Sequence, residues 1–523
     1  MQNGERQETV ATTNRTGTDL LDRNRCLGLA LLASASISLF LLWNYHCISV
    51  DGVRYIEAAK NFYAGHLEAG LSSVYPPGYP LLIALFYNFL HDWERAGQMI
   101  SLISRLLLLL PLYGLLRAMY DRSVAALGCL LAAVSPFLAM YSVHVRTESL
   151  FFFLAVLALY ILHRGMERHG TMDFFAGGLV SGFAYLVRPE ALGFVVIVPA
   201  ALALQRWTKD RWDWASIGGA SAVLALGFAL FATPYVVYLG SDTGQWGTVS
   251  RKAGVTLRVS LEQAGLLNAA IAEEFPAGES MSLPAFIKTH PWVYTNKVLY
   301  DFARSVPAYA EALHYSYVPF LLLGLAAVFR ADLRRRKDIL LLVYLFFFTL
   351  GFAAIYANRR YSVQLVPISM GWTAAGILWS WDWVRKRWSE NSARIALMIV
   401  GAAFFVVTLP KTLKPVAKEK AHFKETGWYV RQRHGPGPLS MIVFDDRIAY
   451  YADAQAIFFG NFKLESDLAG ELRRRSADFL IAEPRKLQRN YPRIFQSPES
   501  YGLRFEKEFV GPRRDRLVVY KLM

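Results

Sequence analysis

Residues 26–55 read CLGLALLASASISLFLLWNYHCISVDGVRY. The stretch from Cys26 to Val50 is apolar over the length of a bilayer crossing, since about 20 helical residues span a hydrocarbon core of about 30 Å. It ends on a charge, Asp51, followed by Gly52, Val53, Arg54 and Tyr55. A carboxylate at the membrane edge costs free energy unless it is hydrated, paired or used, so its place calls for a reason. Aspartate also suits the N-cap of a following helix, because it accepts bonds from free amide groups there. Downstream, Tyr75-Pro76-Pro77-Gly78-Tyr79-Pro80 reads as a rigid turn that returns the chain to apolar sequence.

Working outward, 54% of the 523 residues are hydrophobic and only 19% are charged, with long apolar runs along most of the chain. That excludes a soluble domain and predicts an all-α polytopic membrane protein. The first apolar run is too long for a cleaved leader and is expected to stay as a span. The polar residues 1–25 read as a disordered cytoplasmic tail. The three cysteines, Cys26, Cys47 and Cys129, show neither metal-type spacing nor a disulfide framework.

Apolar stretches predict spans near 26–49, 97–117, 123–141, 149–163, 174–187, 191–205, 215–239, 315–330, 338–357, 362–384 and 394–410. Leu81 to Leu90 is too short to cross and reads as a half-span or a tilted extra helix, giving a total of eleven to thirteen. Positive loops stay cytoplasmic. One set of loops, from Arg117 and Arg122 through Arg330 and Lys337 to Arg385 and Arg394, holds sixteen basic residues, and the alternating short loops hold four: Arg146, Arg188, Arg359 and Arg360. This predicts a cytoplasmic amino terminus, with Asp51 on the outer side.

The membrane domain is expected over 26–414, with outer loops at 50–80 and 241–314. Within the second loop, Trp292, Val298, Leu299 and Phe302 are spaced opposite Lys288, Lys297 and Arg304, as in a helix lying in the interface. Residues 415–523 lose the long apolar runs and read as a small α/β extracytoplasmic domain, with strands at Leu439–Phe444, Phe479–Ala482 and Leu517–Lys521 and a polar helix around Leu468–Arg475. Asp445 and Asp446 read there as ordinary loop acids. From Lys411 onward the chain carries +8 of its total +15 charge, which favours anionic headgroups or phosphates beside a bilayer; no nucleic-acid partner is expected.

The short outer loops combine opposite charges: His144, Arg146 and Glu148 in one, Arg188 and Glu190 in another, Arg359, Arg360 and Tyr361 in a third. Transfer from a lipid phosphate needs both signs. A carboxylate orients or deprotonates an acceptor hydroxyl, while guanidinium groups grip the phosphate and stabilise the charge that develops on it. Other readings stand beside this one: Glu148 and Glu190 as first-turn acids, the latter after Pro189, and the arginines as interface snorkels.

The passages Asp51-Gly52-Val53-Arg54-Tyr55, Tyr75 to Pro80, Arg146-Thr147-Glu148-Ser149-Leu150, Val187-Arg188-Pro189-Glu190, and Arg360-Tyr361 followed by Pro367 resemble, in order and sidedness, the GT-C superfamily of membrane glycosyltransferases. The resemblance is to the bacterial branch related to protein O-mannosyltransferases and lipid A aminoarabinose transferases. It implies a polyprenyl-phosphate-linked sugar as donor, used on the outer face of a bacterial inner membrane, and a hydroxyl acceptor on a lipid, glycan or protein. It further implies Asp51 and Glu148 as catalytic acids. Arg54, Tyr55, Tyr75, Arg146, Arg188, Arg360 and Tyr361 are the expected substrate-binding residues. Many members carry an acidic pair in the first loop, whereas Gly52 follows Asp51 here. No metal is assigned, although a divalent ion is compatible with the superfamily. The sequence shows no phosphate loop, no His-Glu-x-x-His and no Asp-x-Asp in a large cytoplasmic domain. A lipid-linked glycan flippase and an O-antigen ligase or polymerase are the alternatives; the former should place charges near mid-membrane in repeated halves.

Overall fold

The apolar run 26–50 does not continue as one helix. The computed structural model describes residues 23–209, 212–246, 249–274, 283–329, 337–435, 437–459, 470, 472, 477–489 and 491–523, and its first helix, Arg23–Trp43, stops well before Asp51. Asn44 and His46 exchange backbone hydrogen bonds of 3.0 Å with Val416, so this short stretch is tied to the far end of the membrane domain. Ser49 then caps a new helix, Val50–Tyr63, its Oγ accepting from the Gly52 N–H at 3.1 Å. The capping reading of Asp51 is thereby corrected. Ser49 satisfies the free amide, and Asp51 lies in the first turn with its carboxylate available to other partners.

Each remaining predicted span is helical over most of its length. Among the described residues, six helices are long and apolar enough to cross a bilayer alone: Arg25–Trp43, Trp93–Met119, Glu148–Arg168, Pro189–Thr208, Trp214–Thr243 and Glu390–Thr412. Gly78–Leu90, Arg122–Val134, Thr171–Val187 and Ile339–Ile355 are apolar but shorter, and Pro291–Leu313 meets Tyr315–Phe329 at a 90° bend. The chain is therefore a multi-pass membrane protein. Gly78–Leu90 is a full helix of 13 residues, about 20 Å long, that stops at a left-handed His91.

The second loop contains the short helix Leu283–Thr289 and the long Pro291–Leu313, parted at His290. Trp292 (79% exposed), Leu299 and Phe302 face outward, as an interfacial helix requires. Lys297 departs from the expected water-facing stripe: it is fully buried, paired with Asp301 at 3.0 Å. A bare ammonium has no place under an apolar face, and this one is enclosed because a counter-charge and hydrogen-bond acceptors are built around it.

Among the described residues beyond Thr412 the chain forms a five-stranded sheet in the order β2-β1-β3-β5-β4, with β1 Ser440–Val443, β2 Gln455–Phe458, β3 Phe479–Ala482, β4 Leu503–Val510 and β5 Arg516–Leu522. β1 is parallel to both β2 and β3, while β5 is antiparallel to β3 and β4. The Ala421–His434 and Asp446–Ala452 helices pack together on this unit. The tail 1–22 and most of the helix predicted around 468–475 lie outside the described residues.

The sheet unit is bolted to the Asp51 end of the bundle. The Tyr451 hydroxyl accepts from the Ile48 N–H at 2.7 Å and donates to Glu94 Oε1 at 3.0 Å. Asp446 is not a plain loop acid either. It is 5% exposed and receives Arg54 Nε at 3.1 Å, while Asp445 caps its helix and holds Arg447 through two bonds.

Candidate functional site

Four elements bring charged side chains to one point at this end of the bundle. Val50–Tyr63 supplies Asp51 from its first turn, Glu148–Arg168 supplies Glu148, the break after Thr171–Val187 supplies Arg188, and the short turn Arg359–Ser362 supplies Arg360. Two close approaches set their spacing. A Cβ on Gly52 would stand 3.0 Å from the Val145 carbonyl oxygen and 2.8 Å from Ile48 Cγ1. One on Gly78 would stand 2.7 Å from the Leu186 carbonyl oxygen, two residues before Arg188. Only glycine lets the Asp51 helix lie against the 142–147 loop, and the Tyr75–Pro80 turn against the Arg188 break.

At the centre Arg360 bridges the two predicted acids, Nη1 to Asp51 Oδ2 and Nε to Glu148 Oε1. Tyr75 donates its hydroxyl to Asp51 Oδ1 at 2.5 Å, and Arg146 Nη2 stands 3.9 Å from Asp51 Oδ2. Arg188 lies 3.4 Å from Glu148 and 2.7 Å from Glu190, sandwiched between the rings of Phe151 and Tyr361 at 5.5 and 5.3 Å. Tyr55 forms the wall behind, its ring centroid 4.5 Å from that of Tyr75 and its hydroxyl 3.4 Å from that of Thr147. The fully buried Glu148 keeps Oε2 without a hydrogen-bond partner, and so does the Nε of Arg146. Donor and acceptor capacity thus remains in the cluster.

Of the residues named from sequence, Asp51, Glu148, Tyr55, Tyr75, Arg146, Arg188, Arg360 and Tyr361 meet here. Arg54 does not. One residue along the helix beyond Val53, it turns to Glu57 and Asp446 at the seam with the sheet unit. Arg359 likewise turns away, to Glu311 at 2.5 Å. Two residues join that the sequence reading passed over or discounted. Glu190 anchors Arg188, and Lys252 lies over the Tyr75 ring at 4.5 Å. Lys252 begins the helix Lys252–Gln263 in the large loop, where the paired basic residues Arg251-Lys252 were the available signal.

Charge controls the protonation states. Burial alone would raise the Asp51 carboxyl, but Arg360, Arg146, Lys252 and the Tyr75 hydrogen bond hold it well below the ordinary carboxylate range. Burial, with Arg360 adding to it, pulls Lys252 down to about 8 against the attraction of Asp51. Behind the cluster, burial and then Arg146 pull the His144 imidazole down to about 3, so it stands neutral. Arg146, Arg188, Lys252 and Arg360 exceed Asp51, Glu148 and Glu190 by one positive charge. Among the described residues no three His, Cys, Asp or Glu side chains gather as metal ligands. The Arg360 guanidinium occupies the space between the two carboxylates, where a bridging cation would need to sit. A separate cleft of about 590 Å³, lined among others by Lys60, Glu94, Trp428 and Tyr451, opens under the sheet unit and includes none of the predicted site residues.

Residues 74–235 match the family described as dolichyl-phosphate-mannose-protein mannosyltransferase. Among solved structures, the chain is similar to ArnT from Cupriavidus metallidurans bound to undecaprenyl phosphate, with TM-score 0.56 and 13% identity over 95% of this chain and 98% of that one. It is also similar to the archaeal oligosaccharyltransferase AglB from Archaeoglobus fulgidus in complex with an inhibitory peptide and a dolichol-phosphate. There the TM-score is 0.59, with 13% identity over 95% of this chain and 74% of that chain. A search of curated proteins gives no match.

Proposed function

From the GT-C fold of this chain we propose a glycosyltransferase that moves a sugar from a polyprenyl-phosphate donor to a hydroxyl on a lipid, glycan or protein. The observation that carries this reading is Arg360 clamped between Asp51 and Glu148, in a cluster with one positive charge to spare at the rim of an apolar bundle. The undecaprenyl phosphate of ArnT and the dolichol-phosphate of AglB support a lipid-linked donor. Arg146, Arg188, Lys252 and Arg360 grip the donor phosphate. The acceptor oxygen bonds to the anomeric carbon as the bond from that carbon to the phosphate oxygen breaks. Polyprenyl phosphate leaves with the electron pair, and the acceptor proton passes to Asp51. The distribution of lysine and arginine among the loops supports a site on the outer face of the membrane.

The test uses purified full-length chain in lipid, with labelled sugars on polyprenyl phosphate in one arm and on nucleotide diphosphate in the other. Transfer or hydrolysis is expected from the lipid-linked donor alone. Asp51→Asn should lower kcat by about 10²–10⁴-fold while the protein still inserts and purifies as the wild type does. Full activity of Asp51→Asn, or use of the nucleotide sugar, refutes the assignment.

A further inference from the structure

Arg360 carries the centre of the site but belongs to a four-residue turn, Arg359–Ser362, rather than to a spanning helix. What fixes that turn lies outside the cluster. Lys297, on the Pro291–Leu313 helix, sends its ammonium to the carbonyls of Ala353, Ala354 and Ile355 at 3.1, 2.8 and 2.6 Å. These are the last carbonyls of Ile339–Ile355, which that helix has no amide left to satisfy. A cation there also meets the negative end of the helix dipole. The Tyr294 hydroxyl adds a bond to the Ala354 carbonyl at 3.2 Å.

The same knot reaches a second site cation. Asp301, one turn along from Lys297, balances its charge and accepts from Ser260 Oγ at 2.6 Å. Ser260 belongs to Lys252–Gln263, the helix that begins with Lys252. Between that helix end and Arg360, Asn358 accepts from the Arg360 N–H at 3.0 Å, and Arg359 pairs with Glu311 of the Pro291–Leu313 helix. The chain leading into Arg360 is thus held at Ile355 and again at Arg359, both times by a single helix of the large loop.

Buried ion pairs contribute little to stability, because desolvation offsets the attraction. This one does something an apolar pair cannot, which is to hold three carbonyls and a hydroxyl in fixed places. We propose that Lys297, Asp301 and Ser260 are positioning residues that set the spacing of Arg360 and Lys252 and thereby the affinity for the phosphate of a lipid carrier. None of the three touches that phosphate. The inference rests on reading the cluster as the donor-phosphate site.

Undecaprenyl phosphate itself is the probe, with its binding to the purified full-length chain measured directly and transfer measured separately. Lys297→Met is expected to weaken binding by about tenfold in the wild-type background and by less than about twofold in a background lacking both cations, Arg360→Ala with Lys252→Ala, because the knot acts through those two residues. An equal loss in both backgrounds marks a general structural effect and overturns the proposal. Ser260→Ala, which leaves the ion pair whole, covers the case in which Lys297→Met does not fold; it should weaken binding by about threefold, and unchanged binding also overturns the proposal. A wild-type chain that binds no undecaprenyl phosphate removes the site reading and the knot together. Wild-type binding by Lys297→Met and Ser260→Ala, with binding weakened where Arg360 and Lys252 are both lost, removes the knot alone.

Discussion

A carboxylate ringed by Arg360, Arg146 and Lys252 is a poor base while all three stay beside it. On the proposed function, a phosphate that draws Arg360 toward itself would take away the strongest counter-charge on Asp51, so that donor binding and the gain of base strength would be one event. Lys252 makes the cluster sensitive to alkali. With the Lys252 pKa pulled down to about 8, the proposed donor site would lose one positive charge as pH rises through that value. The rate at limiting donor should therefore fall above about pH 8, and Lys252→Arg, charged throughout, should carry that fall upward by more than about one pH unit. An unmoved alkaline limb in the pH–rate profile excludes Lys252 from donor binding. Asp51, Glu148, Arg146 and Arg360 were legible because each stands at the polar end of an apolar run. Lys252 was not, since its loop alternates charge and aromatics with no span to mark its depth, and nothing local in the sequence of Arg54 announces a partner at position 446.

Among elements, the turn of chain between the first two helices does the most to place the site. Gly52 removes the one side chain that would hold Val50–Tyr63 off the 142–147 loop, which gives a physical reason for glycine beside Asp51. Gly52→Ala should cost about 1–3 kcal/mol of overpacking, read as a lower apparent melting temperature. Activity should fall further than that loss of stability accounts for, because the strain moves Asp51 away from Arg146. Wild-type melting and activity in Gly52→Ala would show that the loop yields freely. Hydropathy located the helices because lipid demands internally satisfied backbone whatever the tertiary detail. It missed the stop at Trp43, since Cys47, Ile48 and Val50 prolong the apolar run while the backbone of Asn44, His46 and Ile48 bonds to Val416 and Tyr451. It also missed Lys297, whose charge reads as solvent-facing until Asp301 and the carbonyls of Ala353 to Ile355 are seen around it.

The whole molecule is a helical bundle and a sheet unit joined along one seam. The three strands read from sequence are β1, β3 and β5, which are largely buried; β2 and β4 at the sheet edges are mostly exposed or half-buried, with no period of two to mark them. At the seam, burial pushes the Asp446 carboxyl up to about 6 despite Arg54. The folded chain keeps that proton in a window, between about pH 4 and 6, where an unfolded aspartate has lost it, so this group's contribution to stability is full at the acid end and drains away as pH rises. Asp446→Asn should flatten that part of the curve of melting temperature against pH. A slope identical to the wild type would place the titration elsewhere.

The hydroxyl of Tyr451 holds the Ile48 amide, three residues ahead of Asp51. A stretch of chain is thus pinned by a residue synthesised 403 positions after it. A nascent chain halted before residue 451 already carries Asp51 and the helices through Glu390–Thr412, yet lacks this bond. The leading carboxylate therefore waits on the sheet unit for one of its fixings.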